Sequence, residues 1–253
     1  MPTIWFNEIP ATAWRCVSLP RVAAGVRHES SSEIGVYGLL TNSYCLVAQG
    51  PNENFYSVFE AELGAAMPIT KTLINGTCCI GSCCVGNRYG LLVPDTISDQ
   101  EYLNIRNALP DEIVVKKVTD RLNAFGNTIS CNDYVALCHM ELDKETLEIL
   151  EDVLQVEAFK ESIGAEQLVG QYCKFNNIGG VVTPKASDAQ LESLSQLLEI
   201  PLTRGTVNQG SDKLASSILV NDFALFVGAD SLFAEVRTLE NIFVLKETQA
   251  YEV

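Results

Sequence analysis

The segment NDYVALCH, residues 132–139, decides the fold because the chain contains it five times in varied form. The related segments are NSYCLVAQ at Asn42, NRYGLLVP at Asn87, NIGGVVTP at Asn177 and NDFALFVG at Asn221. Successive asparagines are separated by 45, 45, 45 and 44 residues. Such a regular period is typical of repeat and propeller architectures. The sequence therefore predicts five structural units of about 45 residues each.

Each unit repeats one order of predicted elements. A short apolar run bounded by turn residues follows the asparagine, which predicts a buried strand. A helix is then predicted to begin at a polar capping residue. These residues are Asn54, Ser98, Asp143, Ser187 and Ser231. Glu101 and Gln190 have the spacing that completes capping boxes. Two further strands follow, so that each unit has the order strand, helix, strand, strand.

The fifth unit is shorter than the others. After Asn221 only 32 residues remain, which suffices for the first strand, a helix near residues 231–240 and one strand at 242–246. Residues 33–41, EIGVYGLLT, lead into Asn42 as residues 80–86 lead into Asn87. We expect this N-terminal strand to complete the fifth unit and to close the ring, which leaves few exposed sheet edges. The prediction is a single α/β domain over residues 28–253.

The composition bounds the function classes. With 253 residues, 47% of them apolar, the chain can bury a full core. No apolar run approaches the roughly 18 residues of a membrane-spanning helix. The net charge of -15 repels a nucleic-acid backbone, but it leaves basic proteins as partners. Nine cysteines, some adjacent, indicate a reducing compartment such as the cytosol or nucleus.

Residues 1–27 differ from the rest of the chain. They contain three arginines and one glutamate, giving a charge of +2, together with Trp5 and Trp14. Such a segment is compatible with an organelle-targeting leader, a disordered appendage or an upstream extension of the gene model. We expect it to be a disordered extension outside the folded domain.

Two cysteine motifs invite chemical interpretations. Cys138 and His139 are consecutive on a predicted strand, so their side chains should point to opposite faces and cannot easily form a nucleophile–base pair. The stretch CCIGSCC, residues 78–84, could bind zinc only with a sharp bend at Gly81, and small buried cysteines are the favoured interpretation. No glycine-rich phosphate loop opens a helix, so no nucleotide or other cofactor is predicted.

Long segments of the chain resemble the eukaryotic translation initiation factor 6 family. They are NSYCLVAQGPNENFYSVFEAEL (42–63), VGNRYGLLVP (85–94), LNAFGNTISCNDYVALCH (122–139), LVGQYCKFNNIGGVVTPKAS (168–187) and IPLTRGTVNQGS (200–211). The resemblance extends from about residue 33 to about residue 245. It implies the pentein fold, a closed β/α-propeller with five-fold pseudosymmetry.

The resemblance also implies a function. Family members are monomeric, non-enzymatic factors that bind the intersubunit face of the large (60S) ribosomal subunit, at ribosomal proteins near the sarcin-ricin loop. They prevent premature association with the small subunit, and they take part in large-subunit maturation and export. An elongation-factor-like GTPase and the Shwachman-Bodian-Diamond protein release them. The implied compartments are the cytoplasm and the nucleus with its nucleolus.

Five positions match the ribosome-facing residues that the resemblance implies. They are Asn87, Arg88, Lys117, Asn127 and Tyr172. From the residues alone, Asn87 is better explained as a turn former, since it belongs to the five-fold asparagine repeat, and the two cations are explained as solvated surface charge.

The chain also departs from the family pattern. Ser82 and Gln209 stand where arginine is usual, Phe223 replaces a frequent tryptophan, and the sequence stops soon after Leu245. The loss of two cations raises the alternative of a divergent scaffold that does not bind ribosomes, and the short C-terminus puts phosphorylation control in doubt. A guanidino-modifying pentein enzyme is the remaining alternative.

Overall fold

The computed structural model describes residues 21–50 and 53–243. Within them the strands are β1 (Arg21–Val26), β2 (Gly38–Leu40), β3 (Cys45–Ala48), β4 (Ile69–Thr72), β5 (Val85–Gly86), β6 (Gly90–Pro94), β7 (Val114–Val118), β8 (Ile129–Cys131), β9 (Val135–Cys138), β10 (Glu157–Lys160), β11 (Cys173–Phe175), β12 (Gly180–Val182), β13 (Leu202–Arg204), β14 (Ile218–Val220) and β15 (Ala224–Gly228).

The helices fall into a long and a short class. The long helices are α1 (Asn54–Leu63), α3 (Asp99–Ala108), α5 (Lys144–Leu154), α7 (Asp188–Leu198) and α8 (Phe233–Ile242). The short helices are α2 (Ile80–Cys83), α4 (Phe125–Thr128), α6 (Val169–Tyr172) and one 3-10 helix, η1 (Ile34–Val36). Every helix in the described ranges is too short or too polar to cross a bilayer.

The strands form five mixed sheets of three strands each. Their orders are β2-β3-β4, β5-β6-β7, β8-β9-β10, β11-β12-β13 and β14-β15-β1. In each sheet the middle strand pairs antiparallel with one neighbour and parallel with the other; in the second sheet Val85 faces Leu92 and Gly90 faces Val114. A parallel pair needs a crossover, which the long helix supplies in the first four units. The predicted five-unit α/β organisation is confirmed.

The N-terminal strand of the fifth sheet is not the one predicted. β1 pairs parallel with β15, so residues from Arg21 onward belong to the fold, although residues 1–27 were expected to lie outside it. Residues 33–41 instead contain β2, which pairs antiparallel with β3 in the first sheet. The fifth unit already has the antiparallel pair β14-β15, and within the described ranges β1 takes the parallel place that the strand after the long helix takes in the other units. Residues 1–20 lie outside the described ranges.

The predicted ends of the long helices need small corrections. Ser98 caps α3 in a full capping box with Glu101, and the Ser187 side chain accepts from the Gln190 amide, as predicted. Asn54 is the first residue of α1 and not its cap, and α8 begins after Leu232 and not after Ser231. The strand predicted at 242–246 is wrong at its start, because Ile242 ends α8; residues 244–246 lie outside the described ranges.

Five apolar clusters form the core, and each joins a long helix to the middle strands of two units. Phe59 of α1 packs in one cluster with Cys45 of β3 and Phe226 of β15. The same arrangement holds for α3 with β3 and β6, α5 with β6 and β9, α7 with β9 and β12, and α8 with β12 and β15. Middle strands are therefore covered on both faces, which explains their uninterrupted apolar runs.

The short helices approach one another closely at one end of the sheets. A Cβ atom on Gly81 would overlap the carbonyl oxygen of Gly35, and one on Gly126 would overlap that of Gly81. Gly170 stands in the same relation to Gly126, so only glycine fits these contacts. The equivalent residue of the fifth unit is Ala215, whose amide donates to the carbonyl oxygen of Gln171 at 3.1 Å. We call this side the short-helix end.

Candidate functional site

The opposite end of the sheets carries the five turns that contain the repeated asparagines, and we call it the turn end. Asn87, Asn132, Asn176 and Asn221 each accept two backbone N–H groups of their own turn on the side-chain oxygen. Thr41 does the same through its hydroxyl oxygen. The structurally equivalent residues are therefore Thr41 and Asn176, one position before the asparagines that marked the repeat in the sequence.

The four asparagine amides also join neighbouring units. Asn87 donates to the carbonyl oxygen of Asn132 at 3.1 Å, Asn132 to that of Asn176 at 3.2 Å, and Asn176 to that of Asn221 at 3.1 Å. Asn221 donates to the carbonyl oxygen of Thr41 at 2.8 Å. Each of these asparagines is buried. A single amide thus fixes its own turn and the position of the next one.

The next residue of each turn contributes to a shared polar cluster, which we call the axial cluster. Its members are Asn42, Arg88, Asp133, Asn177 and Asp222. One Asp133 oxygen accepts from Asn42 at 2.7 Å, from Arg88 Nε at 2.8 Å and from Asn177 at 2.7 Å. Asp222 accepts from the same two amides, at 2.9 Å and 2.7 Å. Five units separated by tens of residues therefore meet at one point.

The electrostatics of the axial cluster are those of a structural junction. Burial raises the pKa of Asp222, and the neighbouring charge of Asp133 raises it further, against the hydrogen bonds from Asn177 and Asn42. Burial alone would lower the pKa of Arg88, but the charge and hydrogen bond of Asp133 raise it on balance. The carboxylates and the guanidinium are engaged with one another and with amides, so this cluster offers no nucleophile or free base.

A cavity of about 50 Å³ lies between the two ends and is lined by the first strands of all five sheets. Lys174 is the charged residue among those lining it, and none of the described residues accepts a hydrogen bond from its ammonium group. Burial lowers the pKa of Lys174. The flanking thiols stay protonated, because burial raises the pKa of Cys131 and of Cys173 to about 12.

The five residues implied by the family resemblance do not meet on one surface. Asn87 and Arg88 lie at the turn end, where Asn87 is buried and also donates to the carbonyl oxygen of Leu154 at 2.8 Å. Asn127 and Tyr172 lie in α4 and α6 at the short-helix end. Lys117 is near the end of β7, with its Nζ 2.7 Å from Asp99 and 5.0 Å from the ring centre of Tyr102.

The environment of Lys117 recurs in other units. Lys71 occupies the same ladder position in β4, where it pairs with Glu53 and lies over the ring of Tyr56. Arg204 in β13 pairs with Asp188 at 2.6 Å. The third strand of these sheets thus ends in a cation that binds a carboxylate at the start of the long helix. Lys117 has a structural partner in addition to any role at a binding surface.

Cys138 and His139 have different surroundings in the structure. Cys138 is fully buried in β9, and burial raises its pKa to about 12. The imidazole Nδ1 of His139 accepts the backbone N–H of Glu141 at 3.0 Å. A protonated thiol and an imidazole engaged in a turn do not make an activated nucleophile.

The stretch 78–84 is not a strand, because four of its residues form α2. Cys84 is fully buried, whereas Cys78, Cys79 and Cys83 are partly exposed. Among the described residues no group of three or more histidine, cysteine, aspartate or glutamate side chains is placed to hold a metal ion. The bend at Gly81 that a zinc site would have required is used for the contact of α2 with η1.

Sequence reasoning missed Asp133, Asp222 and Lys174. The position after each structurally equivalent turn residue holds only polar and charged residues, but the sequence repeat hides this column because Ile178 follows Asn177. No comparable signal marks Lys174, since a lysine in a short strand is ordinarily a surface residue.

Comparison with known proteins follows the same boundaries as the fold. The family model described as the eIF-6 family matches residues 23–242. Eukaryotic translation initiation factor 6-2 of Arabidopsis thaliana is 51% identical over 228 residues, which cover 90% of this chain and 93% of that protein. Eukaryotic translation initiation factor 6 of Saccharomyces cerevisiae is 50% identical over 228 residues, with the same two shares.

Similarity to solved structures is weaker. One match is a crystal structure of dimethylarginine dimethylaminohydrolase in an adduct with S-methyl-L-thiocitrulline. It covers 68% of this chain and 69% of the hydrolase chain, with a TM-score of 0.46 and 10% sequence identity. A likeness of this size carries no functional argument.

Proposed function

The chain belongs to the eIF-6 family, whose members are non-enzymatic translation factors, and on that premise we propose that it binds the large (60S) ribosomal subunit and prevents its premature association with the small subunit. The observation that carries the proposal is identity of about one half along nine-tenths of the chain to initiation factor 6 of a plant and of a yeast. The identity extends through all five units, so the whole domain and not a single motif supports it.

The charge of the chain suits such a partner. A net charge of -15 disfavours broad contact with ribosomal RNA and favours contact with basic ribosomal proteins. We infer that the docking site consists of ribosomal proteins near the sarcin-ricin loop, on the intersubunit face. A rigid body attached there would block the small subunit by its volume alone.

We further infer that the five units close into a single ring, the pentein propeller. Each apolar cluster contains middle strands of two successive units, and one of them joins the fifth unit to the first through Phe226 and Phe59. The parallel pairing of β1 with β15 and the Asn221–Thr41 hydrogen bond join the same two units. Limited proteolysis should leave one stable core that begins near Arg21, and two separable halves would contradict the ring.

We propose the short-helix end as the ribosome-facing surface. Asn127 and the largely buried Tyr172 lie there, and the Nζ of Lys117 lies on the same side, beside Asp99 at the start of α3. Asn87 is better explained as part of the framework, because its side chain is buried and hydrogen-bonded. Arg88, half-buried beside Asp133, holds the axial cluster together. Release by an elongation-factor-like GTPase and the Shwachman-Bodian-Diamond protein, and passage between nucleolus and cytoplasm, belong to this proposal through family membership.

Cosedimentation with purified large subunits tests the proposal directly. The protein should pellet with large subunits, and it should reduce formation of complete ribosomes when small subunits are added. Failure to bind would support the divergent scaffold that the substitutions at Ser82 and Gln209 suggest. Turnover of a guanidine substrate would support the enzyme alternative.

A matched pair of variants locates the surface. Lys117→Ala removes a cation near the short-helix end, and Arg106→Ala removes one near the C-terminal end of α3, toward the turn end. We expect Lys117→Ala to weaken cosedimentation several-fold and Arg106→Ala to leave it unchanged. Equal loss in both variants, or loss in Arg106→Ala alone, would contradict the assignment.

A further inference from the structure

Among the described residues, the outer turn that follows β1 does not make a contact that three of the other outer turns make. Such turns follow the third strand of the sheets, and in three of them the amides donate to a side chain near the start of the next long helix. Glu101 accepts from Asn75 at 3.1 Å and from Gly76 at 2.8 Å. Glu235 accepts from Gln209 at 3.2 Å and from Gly210 at 2.9 Å. In the fourth unit Gln190 accepts from Gly164 at 2.8 Å.

The turn after β1 has the backbone of the turn that follows β10. His28 and Ser31 form an isolated bridge, as Ile163 and Glu166 do, and Glu29 and Gly164 have φ values of 53° and 66° with no positive φ at the next residue. In the turn at Asn75, by contrast, the next residue, Gly76, also has a positive φ, of 70°. Only the amide of Glu29 therefore has counterparts that donate to a helix side chain, namely the amides of Asn75 and Gly164.

The residue equivalent to Glu101 is Phe55. An offset of 46 residues relates the first unit to the second. It follows from the cation at the end of the third strand: Lys71 contacts Glu53 and Tyr56, and Lys117 contacts Asp99 and Tyr102. Phe55 is buried and meets the His28 ring edge-on, with 5.0 Å between ring centres. No described residue accepts a hydrogen bond from the Glu29 amide. Within the described residues, this turn thus keeps a donor amide without the helix side chain that accepts from it elsewhere.

A pocket of about 270 Å³ opens beside this turn. Phe55, Val58 and Val26 supply apolar walls, and Arg27 and His28 supply polar ones. His28 is 7% exposed and stacks on Tyr37, with 4.0 Å between ring centres. Its ring nitrogens have no hydrogen-bond partner among the described residues. A Cβ atom on Gly50 would lie 3.4 Å from Nε2, so glycine keeps that side of the imidazole uncovered.

We propose that this pocket binds an apolar carboxylate, such as the terminal residue of a peptide or an aromatic acid. The carboxylate accepts from the Glu29 amide and from the imidazole of His28, in the place that the side-chain oxygens of Glu101 and Gln190 take elsewhere in the chain. The apolar body packs against Phe55 and Val58. The pocket volume matches a single side chain or small acid, not an extended ligand.

Binding should be coupled to uptake of a proton. Burial lowers the pKa of His28, and the charge of Glu29 opposes this effect. Of the other charged groups nearby, Arg27 is paired with Asp230 at 2.6 Å. A bound carboxylate favours the imidazolium, so affinity should rise as the pH falls from 8 toward 6.

Phenylacetate is a suitable probe, and phenylacetamide is its neutral control. In wild-type protein, phenylacetate should shift the amide resonance of Glu29 and raise the His28 pKa in NMR titrations. The amide should bind roughly tenfold more weakly, because it lacks the charge-assisted hydrogen bonds. Absence of these shifts, or equal binding of acid and amide, would overturn the proposal.

Two substitutions introduce the residues that another unit carries at the equivalent positions. Phe55→Glu supplies the missing carboxylate internally and should abolish phenylacetate binding. His28→Ile reproduces Ile74 and should remove the pH dependence while the shift of the Glu29 amide persists at reduced affinity. Unchanged binding by folded Phe55→Glu protein would count against the site. If that variant does not fold, the acid–amide comparison in wild-type protein still decides. A peptide ending in phenylalanine, tested against its C-terminal amide, then distinguishes a peptide source from a free acid.

Discussion

The two ends of the sheets solve the same problem, the meeting of five units at a point, by different means. At the turn end the contacts are made by side chains, those of two asparagines, one arginine and two aspartates. At the short-helix end they are made by backbone against backbone, with glycine at four of the five positions. Side-chain contacts tolerate variety as long as donors match acceptors, whereas backbone contacts tolerate almost no added atom.

The fifth unit illustrates the difference. It carries Ala215 where the other units carry glycine, and in place of a short helix it has a turn at residues 215–217. At the turn end the first unit deviates, with Thr41 in place of asparagine. Thr41 keeps the hydrogen bonds within its turn but has no amide to donate onward, and the hydroxyl of Tyr44 donates to the carbonyl oxygen of Gly90 at 2.8 Å instead. A side-chain change is thus compensated by a side chain, and a backbone change by altered secondary structure.

The largest expected effect is at the backbone end. Gly126→Ala places a Cβ against the carbonyl oxygens of Gly81 and Cys84, neither of which can move alone. We expect the free energy of unfolding to fall by about 3 kcal/mol or more. Urea unfolding measures it.

Gly205→Ala is the matched control for this substitution. Its Cβ would meet one methyl group, that of Val181 at 2.7 Å, and no backbone atom within 4 Å. We expect a much smaller loss of stability there. Equal losses in the two variants would mean that backbone crowding does not set the short-helix end apart.

The next effect is at the side-chain end. Asp133→Ala removes the acceptor shared by Asn42, Arg88 and Asn177, and leaves their donors partly buried without a partner. We expect a loss of about 2–4 kcal/mol. Asp99→Ala removes a carboxylate whose side chain is 91% exposed and pairs with Lys117, and should change stability little. A mild effect of Asp133→Ala would show that water replaces the carboxylate and that the axial cluster is dispensable.

Much of the fold could be predicted from the sequence because the repeat imposes it. Apolar runs after Asn87 and Asn132 gave middle strands, and Ser98 with Glu101 gave a helix start. The source of the closing strand could not be derived, because strand propensity does not distinguish a parallel from an antiparallel partner. The axial cluster depends on residues 44–180 positions apart in the chain, so its hydrogen bonds follow from the tertiary arrangement and not from any local pattern.

The space between the two ends gives a third, smaller effect. Lys174 extends into the axial cavity, where its ammonium group has no acceptor among the described residues. Lys174→Met keeps the length and removes the charge, and should raise the free energy of unfolding at pH 7 by roughly 1–2 kcal/mol. Because burial lowers the pKa of Lys174, the native state penalises its proton. The advantage of the variant should therefore shrink as the pH rises toward the value of about 10.4 for lysine in an unfolded chain. A destabilised variant would indicate that the charge is satisfied.

The smallest expected effect is the pH dependence of the axial cluster. Burial and the charge of Asp133 raise the pKa of Asp222 in the folded protein above its unfolded value. A raised carboxyl pKa contributes stability that is full below the unfolded value and is lost as the pH rises through the folded one. The wild-type protein should therefore gain stability relative to Asp222→Asn as the pH falls from 7 toward 4.

Paired urea titrations at several pH values measure this difference directly. Glu101, Asp120 and Glu235 have lowered pKa values, so overall stability falls over the same range in both proteins. These common terms cancel when the two are compared at each pH. A difference that stays constant from pH 7 to pH 4 would mean that the hydrogen bonds from Asn42 and Asn177 fully offset the cost of burying the Asp222 carboxylate. The side-chain end would then be as insensitive to pH as the backbone end.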